Sequence, residues 1–242
     1  MKKKLESVTL LGIDCVDLGR LRQAFEICQK EFEFADVKIL SSLPAAGDDR
    51  VIKIDSISSL EEYSRFVIFE LDKYVDTPHV LIVQYDGFIL NPQAWDDRYL
   101  DYDYIGAPWL VADWSVENFD FPMKLLGQYV VGNGGFSLRS KRLLALTATL
   151  AKKGILARYS PEDVAIGVYH RELLEENNIK IAPIELAQKF SFESETKDNY
   201  AWTNQFGFHG LKWTDISKWA AAHPEYKIDN PATRKSERLK YL

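Results

Sequence analysis

The sequence has few cysteines and no long apolar run. Its 242 residues include only Cys15 and Cys28, with no CxxC pair and no Cys/His cluster at zinc spacing, so neither a zinc site of that kind nor a disulfide framework is expected. No segment approaches the roughly 18 apolar residues of a membrane span. We therefore expect a reduced, cytoplasmic protein whose membrane contact, if any, is peripheral.

A surplus of basic residues is also missing. The formal net charge is -6 and the sequence pI is about 5.4, whereas a nucleic-acid-binding face needs clustered lysine and arginine. No nucleic-acid partner is therefore expected. Repeats, low-complexity segments and linkers are absent too. The sequence does contain 46% hydrophobic residues, enough to fill the core of one large α/β domain.

Short apolar runs alternate with helical patterns in the first hundred residues. The predicted elements are strands at 8–13, 37–40, 51–54 and 80–83 and helices at 17–34 and 58–74. This order predicts a mostly parallel sheet covered by helices on both faces. Ligands of such sheets bind beyond the carboxyl ends of the strands, where Asp14, Ser41 and Asp86 lie.

The second half of the chain is less regular. We predict a strand and turn at 103–109, a long loop at 110–128, helices at 140–152 and 161–176, and a strand at 181–184. Long loops in compact domains are commonly functional or mobile. The expected single domain has a nucleotide-binding half at about 1–105, an acceptor and catalytic half at about 106–215, and a surface tail at 216–242.

Two features of the sequence favour phosphate or metal binding. Asp86 ends the most apolar strand and precedes Gly87; a carboxylate there suits Mg²⁺ or Mn²⁺ bridged to phosphates, although Asp-Gly is also a common turn. The segment Gly-Asn-Gly-Gly at 132–135 lets the backbone approach a ligand closely. Taken alone it is more typical of a hairpin turn, and it matches neither the dinucleotide fingerprint nor the P-loop.

Other residues could act on a sugar or an acceptor. The segment Ser-Pro-Glu-Asp at 160–163 is typical of a helix start, with serine as the cap, but one carboxylate could also take a proton from a hydroxyl. His209 lies among glycines and aromatics and could bind metal or phosphate, whereas a lone histidine is more often structural. Trp109 and Trp202 could stack on an acceptor sugar, although core packing is the commoner role.

The order of these features resembles that of the GT-A glycosyltransferases, which use nucleotide-sugar donors. It is similar above all to a little-characterised bacterial glycosyltransferase-like family with Gln-x-Asp at the strand end. The matching stretches are Gln84-Tyr85-Asp86-Gly87, 103–109, the segment GNGGFSLR at 132–139, Pro161-Glu162-Asp163 and Phe206-Gly207-Phe208-His209. The resemblance spans about residues 7–210, and GNGGFSLR is its most specific part.

The resemblance implies a GT-A fold, a nucleotide-sugar donor such as a UDP-sugar, and a glycan or other hydroxyl acceptor, as in polysaccharide biosynthesis. Asp86 and His209 would hold Mn²⁺ or Mg²⁺, and Asp163 would be the base of an inverting transfer, with Glu162 contacting the acceptor. The donor-binding residues would be Asp14, Ser41, Gln84, Asp86, Gly134 and Gly135.

One position departs from the family pattern. Gln84 stands where the DxD motif has its first acid, and an amide brings no negative charge to a cation, so metal-independent transfer stays open. Gln84 can still hydrogen-bond a ribose or a base. Two alternatives remain: a binding module of the same fold that has lost catalysis, and a nucleotidyltransferase, which the absence of a Gly-rich phosphate loop near residues 12–25 disfavours.

Overall fold

The computed structural model describes residues 2–45, 47–193 and 202–230. The strands are β1 (Lys3–Ile13), β2 (Phe32–Ser41), β3 (Val51–Lys53), β4 (His79–Val83), β5 (Tyr104–Ile105), β6 (Pro108–Leu110), β7 (Tyr129–Val131), β8 (Phe136–Ser140), β9 (Ser191–Phe192) and β10 (Gly207–Phe208). The α-helices are α1 (Leu18–Gln29), α2 (Leu60–Phe69), α3 (Asp113–Phe119), α4 (Lys141–Lys152), α5 (Glu162–Val164), α6 (Arg171–Glu176), α7 (Ile184–Phe190) and α8 (Ser217–Ala222).

The central sheet has six strands in the order β3-β2-β1-β4-β8-β5. β1 pairs in parallel with β2 and β4, and β3 pairs in parallel with β2, whereas β8 is antiparallel to β4 and β5. The predicted mostly parallel sheet is confirmed. Because β2 and β4 lie on opposite sides of β1, the carboxyl ends of β1 and β4 border the crevice in which sheets of this kind bind ligands.

Two apolar layers cover the sheet. Leu10 and Leu11 are successive residues of β1, so their side chains point to opposite faces and belong to different buried clusters. Leu10 shares its cluster with Leu21 of α1, and Leu11 shares its cluster with Val67 of α2. Helices therefore flank both faces, as predicted, and Ser59 is the N-cap of α2.

Two predictions for elements before residue 129 were wrong in part. The helix predicted to reach residue 34 ends at Gln29, because the chain from Phe32 onward pairs with β1. The loop predicted at 110–128 contains α3. α3 has seven residues and packs through Val116 and Phe119 alone of its apolar side chains, so its apolar stripe is too short to have indicated a helix.

Two predictions for the chain beyond residue 160 also differ from the structure. The helix predicted at 161–176 is divided into α5 and α6 by a π-helical turn at Ala165–Tyr169. The strand predicted at 181–184 was wrong: Ile181 makes one isolated bridge to Tyr104, and Ile184 is already the first residue of α7. A short apolar run fits a buried strand and a buried helix start equally well.

Two small sheets complete the fold: β6 is antiparallel to β7, and β9 is parallel to β10. The predicted tail contains α8, whose Trp219 is buried and donates from Nε1 to the carbonyl oxygen of Leu90 at 3.0 Å. Its last residues, 231–242, lie outside the described residues. In the part of the chain that the structure describes, no helix is long and apolar enough to cross a membrane.

Candidate functional site

A cavity of about 400 Å³ lies next to the carboxyl end of β4, between the chain that starts α2 and the chain that starts α5. Its lining includes six of the predicted site residues: Gln84, Gly134, Gly135, Glu162, Asp163 and His209. Gln84 and His209 are 125 positions apart in the sequence. The fold therefore brings the central part of the predicted set to one place.

His209 lies at the centre of the polar contacts. Its Nε2 is 3.2 Å from Oε1 of Gln84 and 3.4 Å from Oδ1 of Asp86. Its Nδ1 is 2.7 Å from Oε1 of Glu193. The second oxygen of Glu193, Oε2, accepts a 2.7 Å hydrogen bond from Nε1 of Trp109. One carboxylate thus joins the imidazole ring to an indole ring.

The parallel pairing of β9 with β10 places Glu193 beside His209. Phe192 is the register partner of Phe208, and the N–H of His209 donates to the carbonyl oxygen of Phe192 at 3.1 Å. Glu193 and His209 are the next residues along the two strands. The contact between their side chains therefore follows from the register of a two-residue ladder.

Two carboxylates control the charge of His209. Burial alone would lower the pKa of His209, but the charges of Asp86 and Glu193 and the hydrogen bonds to them raise it well above the usual 6.5. Burial would raise the pKa of Asp86, and the charge of His209 reverses this, so that the pKa lies below its ordinary value. When no cation is bound, the ring is an imidazolium between two carboxylates.

The predicted metal ligands, Asp86 and His209, lie together with Gln84. In residues 2–45, 47–193 and 202–230, no three His, Cys, Asp or Glu side chains gather as a ligand set. Beyond its 3.4 Å contact with Nε2 of His209, Oδ1 of Asp86 is nevertheless buried without a hydrogen-bond partner in this part of the chain. The same nitrogen lies 3.2 Å from Oε1 of Gln84. Oxygen and imidazole donors suit Mn²⁺ and Mg²⁺, which commonly keep phosphate or water as further ligands.

Glu162 is held by a buried arginine. Its Oε1 accepts a 2.9 Å hydrogen bond from Nη2 of Arg139, whose side chain has no exposed surface. Nε of Arg139 donates to the hydroxyl of Ser137 at 3.0 Å, and the guanidinium lies 5.3 Å from the ring centre of Tyr104. A buried charge needs such a partner, so the contact with Arg139 fixes the position of the Glu162 carboxylate.

Asp163 has the opposite environment. Its Oδ2 accepts from the N–H of Gly134 at 2.8 Å, and its Oδ1 accepts from the N–H of Val164 at 2.8 Å. Burial and the charges of Glu162 and Glu193 raise the pKa of Asp163 to about 7, against the opposing effect of the two backbone bonds. A carboxylate that titrates near neutrality can exchange a proton with a substrate.

The glycines at 134 and 135 leave room for the side chains of Glu162 and His209. A Cβ atom added at Gly134 would overlap Oε1 of Glu162, and one added at Gly135 would overlap Nε2 of His209. Asn133 has a φ of 70° and holds the turn together, because its Oδ1 accepts from the N–H of Gly135 at 3.0 Å. The side chains of Glu162 and His209 therefore pack directly against the backbone of the Gly-rich segment.

Two local interpretations from the sequence were wrong. The segment 132–135 is not a hairpin turn, because β7 pairs with β6 whereas β8 pairs with β4 and β5. The serine at 160 is not the cap of a helix: Pro161 occupies the N-cap position of α5, and no side chain caps this end. The acids at 162 and 163 contact Arg139 and Gly134 instead.

Asp14 and Ser41 lie at the predicted strand ends, but their side chains have partners within the chain. The carboxylate of Asp14 accepts bonds from the N–H groups of Val16 and Asp17 and from Arg20. The hydroxyl of Ser41 donates to the carbonyl oxygen of Asp14 at 2.6 Å. The Ser41 hydroxyl thus joins the end of β2 to the end of β1, and the Asp14 carboxylate holds the turn that leads into α1.

The two predicted acceptor tryptophans lie in different places. Trp109 is buried, and its ring occupies the space above Gly132, where an added Cβ would overlap it. Trp202 donates from Nε1 to the carbonyl oxygen of Gln205 at 3.0 Å and packs against the main core. Neither ring belongs to the cavity lining.

Sequence reasoning missed Glu193 and Arg139. Glu193 carries no local signal, because its importance comes from a ladder partner far along the chain. Arg139 had a usable signal: it is a charged residue inside the strand segment FSLRS, whose residues are all buried. A charge in such a strand requires a partner of opposite sign, and the acids at 162 and 163 were candidates for it.

Comparisons with known proteins agree with this fold. The model of a family described as a protein of unknown function, DUF5672, matches residues 50–209, about two thirds of the 242 residues. The galactosyltransferase LgtC, solved with donor and acceptor sugar analogs, superposes with a TM-score of 0.51 at 13% identity over 90% of this chain and 94% of that one. This likeness confirms the predicted glycosyltransferase-type α/β fold.

A second solved structure is similar at a lower score. A glycosyltransferase involved in glycosylation of the major capsid of PBCV-1 has a TM-score of 0.44 and 11% identity, over 90% of this chain and 98% of that chain. No curated protein sequence matches the chain.

Proposed function

We propose that this chain, which belongs to the DUF5672 family of proteins of unknown function, is a glycosyltransferase that moves a sugar from a nucleotide-sugar donor to a hydroxyl group of a carbohydrate acceptor. One observation carries the proposal. Asp163, a buried carboxylate whose pKa is raised to about 7, shares a cavity with His209, which lies 3.4 Å from Asp86. A proton acceptor and a group that can bind phosphate thus lie on the same cavity.

The donor would bind with its diphosphate beside Asp86 and His209, at the crevice next to β4. Gln84, Asp86 and His209 would hold Mn²⁺ or Mg²⁺, which would neutralise the charge that develops on the leaving nucleoside diphosphate. UDP-sugars are the first donors to test. The fold that the chain shares with a galactosyltransferase supports a donor of this class.

Asp163 would be the base of the reaction. As the acceptor oxygen forms its bond to the anomeric carbon, the bond from that carbon to the diphosphate breaks, and the hydroxyl proton passes to Asp163. Direct attack of this kind inverts the anomeric configuration. Glu162 is paired with Arg139, so its role is to orient an acceptor hydroxyl while Asp163 takes the proton.

A second candidate is a nucleotide-sugar-binding module without catalysis. The observation that favours it is Gln84, an amide at the position where the related motif has an acid, together with an imidazole that already has two carboxylate neighbours. Such a site would bind a nucleotide-sugar but transfer its sugar to no acceptor.

The test measures binding and turnover separately. The melting temperature is recorded with UDP-, GDP-, ADP- and CDP-sugars, with and without Mn²⁺, since a ligand that binds the folded state raises it; release of nucleoside diphosphate is then measured with a panel of sugar acceptors. We expect a stabilising donor and turnover that Asp163→Asn removes while the shift remains. Binding without turnover would favour the module, and no shift with any donor would overturn both candidates.

The stereochemistry has its own readout. NMR of the product should show an anomeric configuration opposite to that of the donor. Retention would contradict the role of Asp163 as the base of an inverting transfer. Asp86→Ala should remove any part of the thermal shift that depends on Mn²⁺, and an unchanged shift would sink the metal role of Asp86.

A further inference from the structure

Arg20 lies where two neighbouring strands of the central sheet end. It belongs to the first turn of α1, directly after β1, and its guanidinium carbon lies 3.8 Å from the ring centre of Tyr85, which follows β4. β1 and β4 are adjacent and parallel, and they border the crevice of the sheet. The stacked pair of Arg20 and Tyr85 therefore bridges the two carboxyl ends that form this crevice.

The guanidinium is fixed along one edge only. Nε of Arg20 donates to Oδ2 of Asp14 at 2.7 Å, and Nη2 donates to Oδ1 at 3.1 Å. Among the described residues, Asp14 alone accepts from this guanidinium, so Nη1 and the second hydrogen of Nη2 have no partner there. About one third of the Arg20 side chain is exposed (34%). Two parallel donors therefore remain on the free edge, in the geometry that matches two phosphate oxygens.

The Asp14 carboxylate is anchored by the backbone at Oδ1 and pairs with Arg20 through Oδ2. The N–H groups of Val16 and Asp17 donate to Oδ1 of Asp14 at 2.8 and 2.9 Å. The same contacts fix the arginine. Asp14 and Tyr85 together hold the long, flexible side chain of Arg20 in one orientation. Holding a charged group in place before a ligand arrives lowers the cost of binding that ligand.

The site needs a fixed positive charge. Carboxylates near the cavity include Asp86, Glu162, Asp163 and Glu193. The positive charges there are already paired, that of Arg139 with Glu162 and that of His209 with Asp86 and Glu193. A diphosphate group entering this surrounding would meet repulsion. The charge of Arg20 lies next to the site, because its guanidinium stacks on Tyr85, the residue between Gln84 and Asp86.

We propose that the free edge of Arg20 binds phosphate oxygens of the nucleoside diphosphate group of the donor. This assignment rests on the proposed function. It adds a positively charged side chain, Arg20, that neutralises phosphate charge whether or not a divalent metal is bound. It also explains how the site can tolerate an amide at Gln84, because part of the charge neutralisation comes from the chain itself.

The test compares two arginines of the same helix. Arg22 has the same side-chain exposure as Arg20, 34%, and its Nε donates to Asp48 at 2.9 Å, so Arg22→Gln is a matched control for loss of one charge. Isothermal titration measures the Kd of UDP, GDP, ADP and CDP for the wild type, Arg20→Gln, Arg20→Lys and Arg22→Gln, each with and without Mn²⁺. Melting temperatures establish that each variant is folded.

For the nucleoside diphosphate that binds the wild type most tightly, Arg20→Gln should raise the Kd at least about tenfold, as expected for the loss of a charge-assisted pair. Arg20→Lys should recover part of this loss, and Arg22→Gln should leave the Kd within about twofold. Tyr85→Leu removes the stacking surface and keeps Asp14, and it should weaken binding less than Arg20→Gln.

Equal Kd values for Arg20→Gln and Arg22→Gln would overturn the assignment and leave the proposed function standing. So would a loss in Arg20→Gln that is equally large for the matching nucleoside without phosphates, because it would not arise from phosphate contact. If Arg20→Gln fails to fold, Tyr85→Leu decides, and an unchanged Kd there overturns the assignment. A wild type that binds none of the four diphosphates would overturn the assignment and the proposed function together.

Discussion

The carboxylates of Glu162 and Asp163 are neighbours in the chain but differ in their partners. Glu162 accepts from the buried guanidinium of Arg139, whereas Asp163 accepts from the backbone N–H groups of Gly134 and Val164. The pair is therefore split into a carboxylate held by a guanidinium and a carboxyl group whose pKa is raised to about 7. Environments that separate two such carboxyl groups mark the division of roles in acid and base chemistry.

The activity proposed for this protein should depend on pH through Asp163. Only the ionised carboxylate can accept a proton, and the pKa of this group is raised to about 7. We expect kcat/KM for release of nucleoside diphosphate to rise between about pH 5.5 and pH 8, with a midpoint near 7. An acid limb near pH 4, the ordinary range of a carboxyl group, would contradict the assignment.

Asp163 should also make the folded state less stable at higher pH. Its pKa is about 7 in the folded protein and 3.8 as the ordinary value, so its stabilising contribution is fully present below about pH 4 and is lost as the pH rises through 7. Urea unfolding at pH 5 and pH 8 should show a loss on the order of 2 kcal/mol that Asp163→Asn lacks, since one pKa unit is worth about 1.4 kcal/mol. The exposed Asp113→Asn should keep the wild-type difference.

Removal of Arg139 should destabilise the fold. Arg139→Met leaves the buried Glu162 carboxylate unpaired, which costs about 3–5 kcal/mol of unfolding free energy. Combination with Glu162→Gln should recover part of that loss, and chemical denaturation of the single and double variants measures it. Arg158→Met, which removes an exposed pair with Asp120, should cost less than about 1 kcal/mol. Equal losses for the two arginines would argue against a buried ion pair.

The methyl group of Gly135→Ala should displace His209. The added Cβ overlaps Nε2 of the imidazole, so binding of Mn²⁺ and of the donor should be lost or weakened about tenfold or more, while the cooperative unfolding transition persists. Gly19→Ala, at an exposed position in α1, is the control. Calorimetric titration of both variants checks this, and unchanged donor binding in Gly135→Ala would count against His209 as a ligand.

Glu193 should matter for cation binding although it is not a ligand. It holds Nδ1 of His209 and thereby directs Nε2 towards Asp86. Loss of such a partner costs about 10- to 100-fold in metal affinity. Electron paramagnetic resonance of Mn²⁺ should show a Kd raised by at least about tenfold in Glu193→Gln, while the exposed Glu185→Gln binds as the wild type does.

Much of the fold could be predicted from the sequence, because β1, β4 and α2 carry long apolar patterns that belong to one element type. α3 could not, since its residues are mostly exposed, and the strand predicted at 181–184 failed because a four-residue apolar run fits either element. Boundaries near Phe32 were misplaced for a similar reason: apolar spacing continued past the end of α1.

The candidate site could be predicted only in part. The order of motifs identified Gln84, Asp163 and His209, and the structure places them on one cavity. Glu193 and Arg20 could not be assigned, because the significance of each depends on a side chain that another strand presents. The local sequence shows the chemistry of a side chain, whereas the fold determines which side chains it contacts.

Because β9 pairs with β10, the contact between Glu193 and His209 does not depend on the number of residues between them in the sequence. Two paired positions, and not the intervening residues, set the distance between Glu193 and His209. Doubling a loop costs only about 0.6 kcal/mol in closure entropy. An insertion into the sequence between Glu193 and Trp202 should therefore leave the contact between Glu193 and His209 in place, because the pairing of Phe192 with Phe208 positions both residues.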